Sequence, residues 1–150
     1  MRRALQVATD LCKHFEGLYL RPYHCPAGVA TIGYGTVYKP DGTTVTMQDP
    51  PITNQVAEEW LGNQLQRDCL PAAVRMTPAL VGNEPALGAI TDFIYNIGAS
   101  RYKTSTLRHR LNTKNWSEAQ YEINRWNRGG GKVLRGLQLR RTAEAAYLPK

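Results

Sequence analysis

Seven residues between positions 22 and 42, namely Pro22, Pro26, Gly28, Gly33, Gly35, Pro40 and Gly42, bar a helix from that stretch of the 150-residue chain. Proline clamps φ and brings no N–H, and glycine loses the most backbone entropy on ordering, so no helical ladder survives at this density. The flanks read the opposite way. Ala4, Leu5, Ala8, Leu11, Cys12 and Phe15 keep the helical period, as do Val56, Ala57, Trp60, Leu61, Leu65 and Cys69. Such a recurrence lines one face of a helix. A chain that is helical, then barred from helix, then helical again segregates its strands from its helices, which predicts an α+β fold.

Within the barred stretch, Ala30 to Tyr34 and Thr43 to Met47 carry β-type residues, and Pro40-Asp41-Gly42 is a turn signal. A small antiparallel sheet is expected, ended by Asp49-Pro50-Pro51. Thr53 is a good N-cap for the next helix, with Ile52 as a hydrophobic staple. Pro71 is expected to close that helix, and a short one to occupy 72–80. Asn83-Glu84-Pro85 opens a largely apolar helix through Leu87, Ile90, Phe93, Ile94 and Ile97, ended by Gly98. Ser105 begins another with Leu107 and Leu111. Trp116, Ala119, Ile123 and Trp126 mark the next, stopped by Gly129-Gly130-Gly131, and Leu137 to Leu148 is the last. The expected plan is one domain of two lobes: an N-terminal helix over 4–16 packed with the helical lobe, a β-lobe over about 18–50, a linking helix over about 53–69, a helical lobe over about 70–150, and a cleft between the lobes.

Composition narrows the function classes. No apolar run approaches the ~18 residues that would span a bilayer, and Gln6, Thr9 and Asp10 interrupt any secretory h-region after Arg2 and Arg3. Cys12, Cys25 and Cys69 form no paired motif and no zinc spacing, so reduced thiols are expected. The formal net charge is +7, yet residues 1–100 hold 7 Lys/Arg against 9 Asp/Glu, while residues 101–150 hold 12 against 3. That asymmetry suits a polyanionic surface, or a merely solvated basic face. It comes without a nucleic-acid-binding motif, so nucleic acid is not expected as a partner.

The candidate chemistry lies where the first helix meets the barred stretch. Glu16 closes the helix, Cys25 follows, and Thr31 opens the run T31-I32-G33-Y34-G35-T36. An acid able to protonate a departing oxygen and polar groups able to hold water are what glycosidic cleavage needs. The segment resembles the active-site segment of the phage-type lysozymes, the endolysins of glycoside hydrolase family 24. In that family Glu is followed after eight residues by Asp or Cys, and after five more by Thr. Two later stretches, D92-F93-I94-Y95-N96-I97-G98 and R125-W126-N127-R128-G129-G130-G131 through R140-R141, are similar to the family's helical lobe. The likeness therefore runs over nearly the whole chain.

The resemblance implies a lysozyme-like two-lobe fold and hydrolysis of the β-1,4 bond between N-acetylmuramic acid and N-acetylglucosamine in peptidoglycan, for host lysis. It implies Glu16 as the acid, Cys25 in the place of the family's Asp and mostly neutral as a thiol, and Thr31 as the holder of the attacking water. Asn96 would contact an N-acetyl sugar. Tyr23 and Tyr34 would be sugar platforms or core residues, and Gly33 would shape the turn. An arginine of the last helix would approach Glu16, Arg141 in preference to Arg140. No cofactor or metal is implied. The basic last third would meet the anionic bacterial envelope. The chain would be a monomer that accumulates in the host cytoplasm and depends on a separate holin-like protein to reach the wall. Two alternatives stay open: a lytic transglycosylase acting on the same bond, and a catalytically inactive wall-binding module.

Overall fold

The computed structural model describes residues 1–150. Helix α1 spans Arg2–Glu16 and buries Ala4, Val7, Ala8, Leu11 and Cys12. Gly17 ends it at φ 72°, a left-handed value that glycine adopts without a Cβ penalty. Strands β1 (Tyr19–His24) and β2 (Ala30–Gly33) pair antiparallel, with Tyr23 opposite Thr31 and His24 opposite Ala30.

The second strand pair expected at Thr43–Met47 is reduced to a tight hairpin. Tyr38 bridges Thr44, Lys39 N–H donates to the Thr43 carbonyl at 2.8 Å, and Val45 N–H to the Val37 carbonyl at 2.8 Å. The ladder stops there because Asp49 takes the Thr46 amide at 3.0 Å and turns the chain away.

Helix α2 (Asn54–Gln64) is capped as expected: the Thr53 hydroxyl accepts the Val56 amide at 3.1 Å. Pro71 does not close the linking helix. The chain passes through a π-helical turn at Leu65–Cys69 directly into α3 (Leu70–Met76), with the Leu70 amide donating to the Leu65 carbonyl five residues back. A proline in an α-helix interior clashes with the carbonyl four residues earlier, and the wider π turn relieves that clash.

A 3-10 turn at Pro78–Leu80 leads to α4 (Glu84–Ile97), capped by Asn83. The short α5 (Ala99–Lys103) was not expected; it precedes α6 (Thr106–Asn112), capped by Ser105, and α7 (Trp116–Asn124). Trp126 lies beyond the end of α7, and the triple glycine does more than stop a helix. Strands β3 (Arg128–Gly129) and β4 (Lys132–Val133) form a minimal hairpin whose corner is Gly130 and Gly131, at φ 59° and 79°. Two adjacent positive-φ residues are what a two-residue hairpin turn needs. Helix α8 (Arg135–Ala145) closes the fold.

Helix α4 is the centre of the molecule, buried at every position from Ala86 to Ile94. Helix α1 lies against it so closely that a Cβ on Gly88 would stand 2.7 Å from the Val7 Cβ. One main core joins α1, α2, α4 and the later helices through Ala8, Leu61, Leu87, Phe93, Leu107 and Ile123. This packing fixes Glu16, at the end of α1, relative to α4 and α8.

Candidate active site

The hairpin gathers two of the predicted residues. Cys25 N–H donates to the Val29 carbonyl at 3.0 Å and Gly28 N–H to the Cys25 carbonyl at 2.7 Å, so residues 25–29 form a closed turn directly beyond the Tyr23–Thr31 pair. Cys25 is half-exposed at its edge. Hydrogen bonding from the backbone at Val29, with smaller contributions from Ala27, Thr31 and Gly28, draws the Cys25 thiol below its ordinary pKa. Thr31 is buried and donates its hydroxyl hydrogen to the Val29 carbonyl at 2.8 Å. A hydroxyl has one hydrogen, so with that hydrogen on Val29 the Thr31 oxygen keeps only its lone pairs for another partner.

Glu16 is held from the other side. Arg140 Nη1 donates to Glu16 Oε1 at 2.7 Å. The same guanidinium grips Asp92 with two more bonds, Nε to Oδ2 at 3.0 Å and Nη2 to Oδ1 at 2.7 Å. The Cys12 thiol also donates to Asp92 Oδ1 at 3.0 Å. Asp92 is wholly buried and Arg140 is 3% exposed, so this is a low-dielectric clamp in which every charge has a partner.

The expectation that Arg141 approaches Glu16 is wrong. Arg141 is fully buried and donates from Nη2 to Asn96 Oδ1 at 2.8 Å and to Glu144 Oε1 at 2.9 Å, with its guanidinium 4.7 Å from the Phe93 ring centre. Successive helix residues point about 100° apart, so adjacent arginines serve different partners. Burial, then the hydrogen bond to Asp92, drives the Glu144 carboxyl well above the usual range. Burial alone would raise Asp92 too, but the Glu144 hydrogen bond and the adjacent Arg140 outweigh it and hold Asp92 low. The two carboxyls are thus driven in opposite directions, Glu144 up and Asp92 down.

The other predicted residues separate. Tyr23 is half-buried and stacks on Tyr19, ring centres 4.0 Å apart. Tyr34 is only 7% exposed and belongs to the main core, with its carbonyl accepting the Tyr95 hydroxyl. It packs the core and does not stand free as a platform. Asn96 is half-buried, its oxygen committed to Arg141. Gly33, at φ 66°, lets the hairpin approach α2, since a Cβ there would lie 3.4 Å from the Ala57 Cβ.

Three residues were missed. Gly35, at φ 76°, faces the acid itself: a Cβ would lie 2.9 Å from Glu16 Cδ and closer still to Oε2. Asp92 and Tyr19 are the others. An aspartate inside an otherwise apolar helix was the available signal for Asp92, because a buried charge needs a partner.

Taken together, a carboxyl group oriented by a buried arginine faces Gly35, in the turn that follows the hairpin carrying a thiol and a hydroxyl, an arrangement able to pass a proton and hold water. The model of the family described as phage lysozyme matches residues 13–144. The chain is 33% identical over 140 residues to the endolysin of Acyrthosiphon pisum secondary endosymbiont phage 1, covering 91% of this chain and 90% of that one. It is 32% identical over 138 residues to the endolysin of Salmonella phage P22, covering 91% of each. The solved endolysin of Escherichia coli O157:H7 phage FAHEc1 superposes with a TM-score of 0.72 at 31% identity, covering 95% of this chain and 90% of that one. The chain belongs to the phage lysozyme family and is a peptidoglycan-degrading glycosidase of the endolysin type.

Proposed function

We propose that the enzyme hydrolyses the β-1,4 bond between N-acetylmuramic acid and N-acetylglucosamine, with Glu16 as general acid. The observation that carries the reading is the position of Glu16: its carboxyl is fixed by Arg140 and lies over Gly35, in the turn that follows the hairpin of Cys25 and Thr31. Glu16 in its acid form gives its proton to the glycosidic oxygen as the bond breaks. Positive charge then grows at the anomeric carbon. Cys25, with its thiol drawn toward the thiolate, opposes that charge and takes a proton from the attacking water, while Thr31 offers its lone pairs to the same water. Asn96 retains its free NH2 group for a sugar carbonyl. Tyr23, stacked on Tyr19, offers a flat face to a ring.

Product analysis of digested sacculi tests this reading. Reducing muramic acid ends are expected. Anhydro-muramic ends would replace hydrolysis by transglycosylation, in which the sugar's own hydroxyl does the work of water. No product at all would leave a wall-binding module.

The reading extends to the cell. The basic last third holds a monomeric enzyme against the anionic envelope. The enzyme accumulates in the host cytoplasm, and a separate holin-like protein admits it to the wall. No helix of the chain is long and apolar enough to cross a membrane.

A further inference from the structure

One face of α2 carries a cavity that shares no residue with the site above. Trp60, Asn63, Gln64 and Arg67 follow one another at helical spacing and form its floor, and the hairpin at Tyr38–Gly42 forms its wall. Glu58, which reaches Lys13 of α1 at 2.7 Å, projects from the opposite side of α2, since each residue turns the helix by about 100°. The cavity therefore opens away from α1. Its volume is about 210 Å³.

The wall is stiff. The Asp41 carboxylate accepts the Thr43 amide at 2.9 Å and the Thr43 hydroxyl at 2.6 Å. The Lys39 ammonium is tied to Asp49 at 3.0 Å. Tyr38 stands on this hairpin with 63% of its surface exposed, so its ring is open to a ligand.

The lining chemistry is mixed in a particular way. Trp60 and Tyr38 provide flat apolar faces. The amides of Asn63 and Gln64 each donate and accept, Arg67 only donates, and Asp68 only accepts. Asn63, Arg67 and Asp68 are exposed and Gln64 is half-buried. A sugar ring has a C–H face that stacks on aromatics and a rim of hydroxyls that both donate and accept. A phosphate would meet the Asp68 carboxylate, and an acyl chain would find too little apolar lining. Cavities for drug-sized ligands run to roughly 300–1,000 Å³, so a smaller one suits a single ring, with the rest of the strand running past it in solvent.

We propose that this pocket on α2 binds one N-acetylated sugar ring of a glycan strand, apart from the strand segment being cleaved. The inference rests on the reading of the substrate as the wall's glycan strands. Its role is to hold the enzyme on an insoluble polymer while the catalytic segment works.

The test uses the full chain with Glu16→Gln, so that bound wall is not degraded, and purified sacculi as the probe. Adding Tyr38→Ala and Gln64→Ala should weaken sacculus binding about three- to tenfold, the range of a lost aromatic contact. Trp60 is left in place because it is half-buried on α2. In the active background the same two substitutions should leave cleavage of a short soluble glycan unchanged. Sacculus binding equal to that of the Glu16→Gln parent would overturn the pocket while leaving the enzyme reading intact. An equal loss of soluble-glycan turnover would overturn it too, by making the pocket part of the cleft. Failure of the wild-type chain to cleave sacculi would instead overturn the substrate reading on which the pocket depends.

Discussion

The two halves of the site are held by different forces. Cys25 and Thr31 owe their positions to a turn and a strand pair closed within a few residues of each other by backbone hydrogen bonds. Glu16 owes its position to Arg140 and Asp92, which come from far along the chain and are buried. Local backbone geometry tolerates side-chain exchange. A buried charge network does not, because removing one member strands the others in a low dielectric. The hairpin is therefore where the chemistry can be tuned, and the clamp is where chemistry and folding are coupled.

The largest expected effect breaks the comparison at its junction. Glu16→Gln keeps the shape and a partner for Arg140 but removes the transferable proton, so wall cleavage should fall by at least about 10²–10⁴-fold with the thermal midpoint little changed. A folded variant with near-normal turnover would reduce Glu16 to an architectural carboxylate.

Next is the clamp itself. Asp92→Ala leaves Arg140 buried without its main partner and should cost about 3–5 kcal/mol in denaturant unfolding. Glu144→Gln should cost about 1 kcal/mol or less, because an amide reproduces the hydrogen bonds of a neutral acid. The sign with pH follows from the raised Glu144 carboxyl. Its stabilising contribution is complete below the unfolded value of about 4.3 and is lost as pH rises through the folded one. The Gln variant should therefore gain on the wild type as pH rises above about 4.3. Equal costs for the two substitutions would remove the contrast between these carboxyls.

On the hairpin side, Cys25→Asp should keep activity and Cys25→Ala should lose about tenfold or more, both with near-normal stability. Iodoacetamide should label Cys25 first. Cys12 and Cys69 are buried, and burial pushes the Cys69 thiol up to about 12. Full activity in Cys25→Ala would make the thiol a packing residue.

The smallest effect concerns the basic last third. Exposed charges act over a Debye length of about 10 Å at 0.1 M salt. Lysis of permeabilised cells should thus fall as salt rises from about 20 to 200 mM, while cleavage of a short neutral glycan holds steady. Replacing the exposed Arg101, Lys103, Lys132 and Arg135 by Gln should flatten that slope. Salt-independent lysis by the wild type would leave only a solvated face.

Much of the architecture was legible because its signals are local. The caps at Thr53, Asn83 and Ser105 lie where the side chains mark them, and the α1 stripe is buried at Ala4, Ala8, Leu11 and Cys12, with Leu5 and Phe15 half-buried. What escaped depends on phase or on partners. Arg140 and Arg141 are adjacent and both basic, so only packing against α4 decides which one turns to Glu16. Glycines mark both helix ends and hairpin corners, and Gly130-Gly131 becomes a corner because Arg128 and Val133 find each other. Gly35 belonged to a motif read for its turn, whereas its lack of a Cβ makes room for the acid.

The π-helical turn at Leu65–Cys69 has a consequence for how the enzyme could be rebuilt. It works as an inserted residue that the helix absorbs without breaking, leaving its two halves out of step by about one residue, or 100°. Excising a single residue such as Gln66 would press Pro71 back against an α-helical turn and rotate the 54–64 half against the 70–76 half. Leu61 would then swing off its core contacts, and the hairpin that packs on Ala57 through Gly33 would turn with it. The seating of the hairpin on α2 is in this sense geared to a length of chain that contains no catalytic residue.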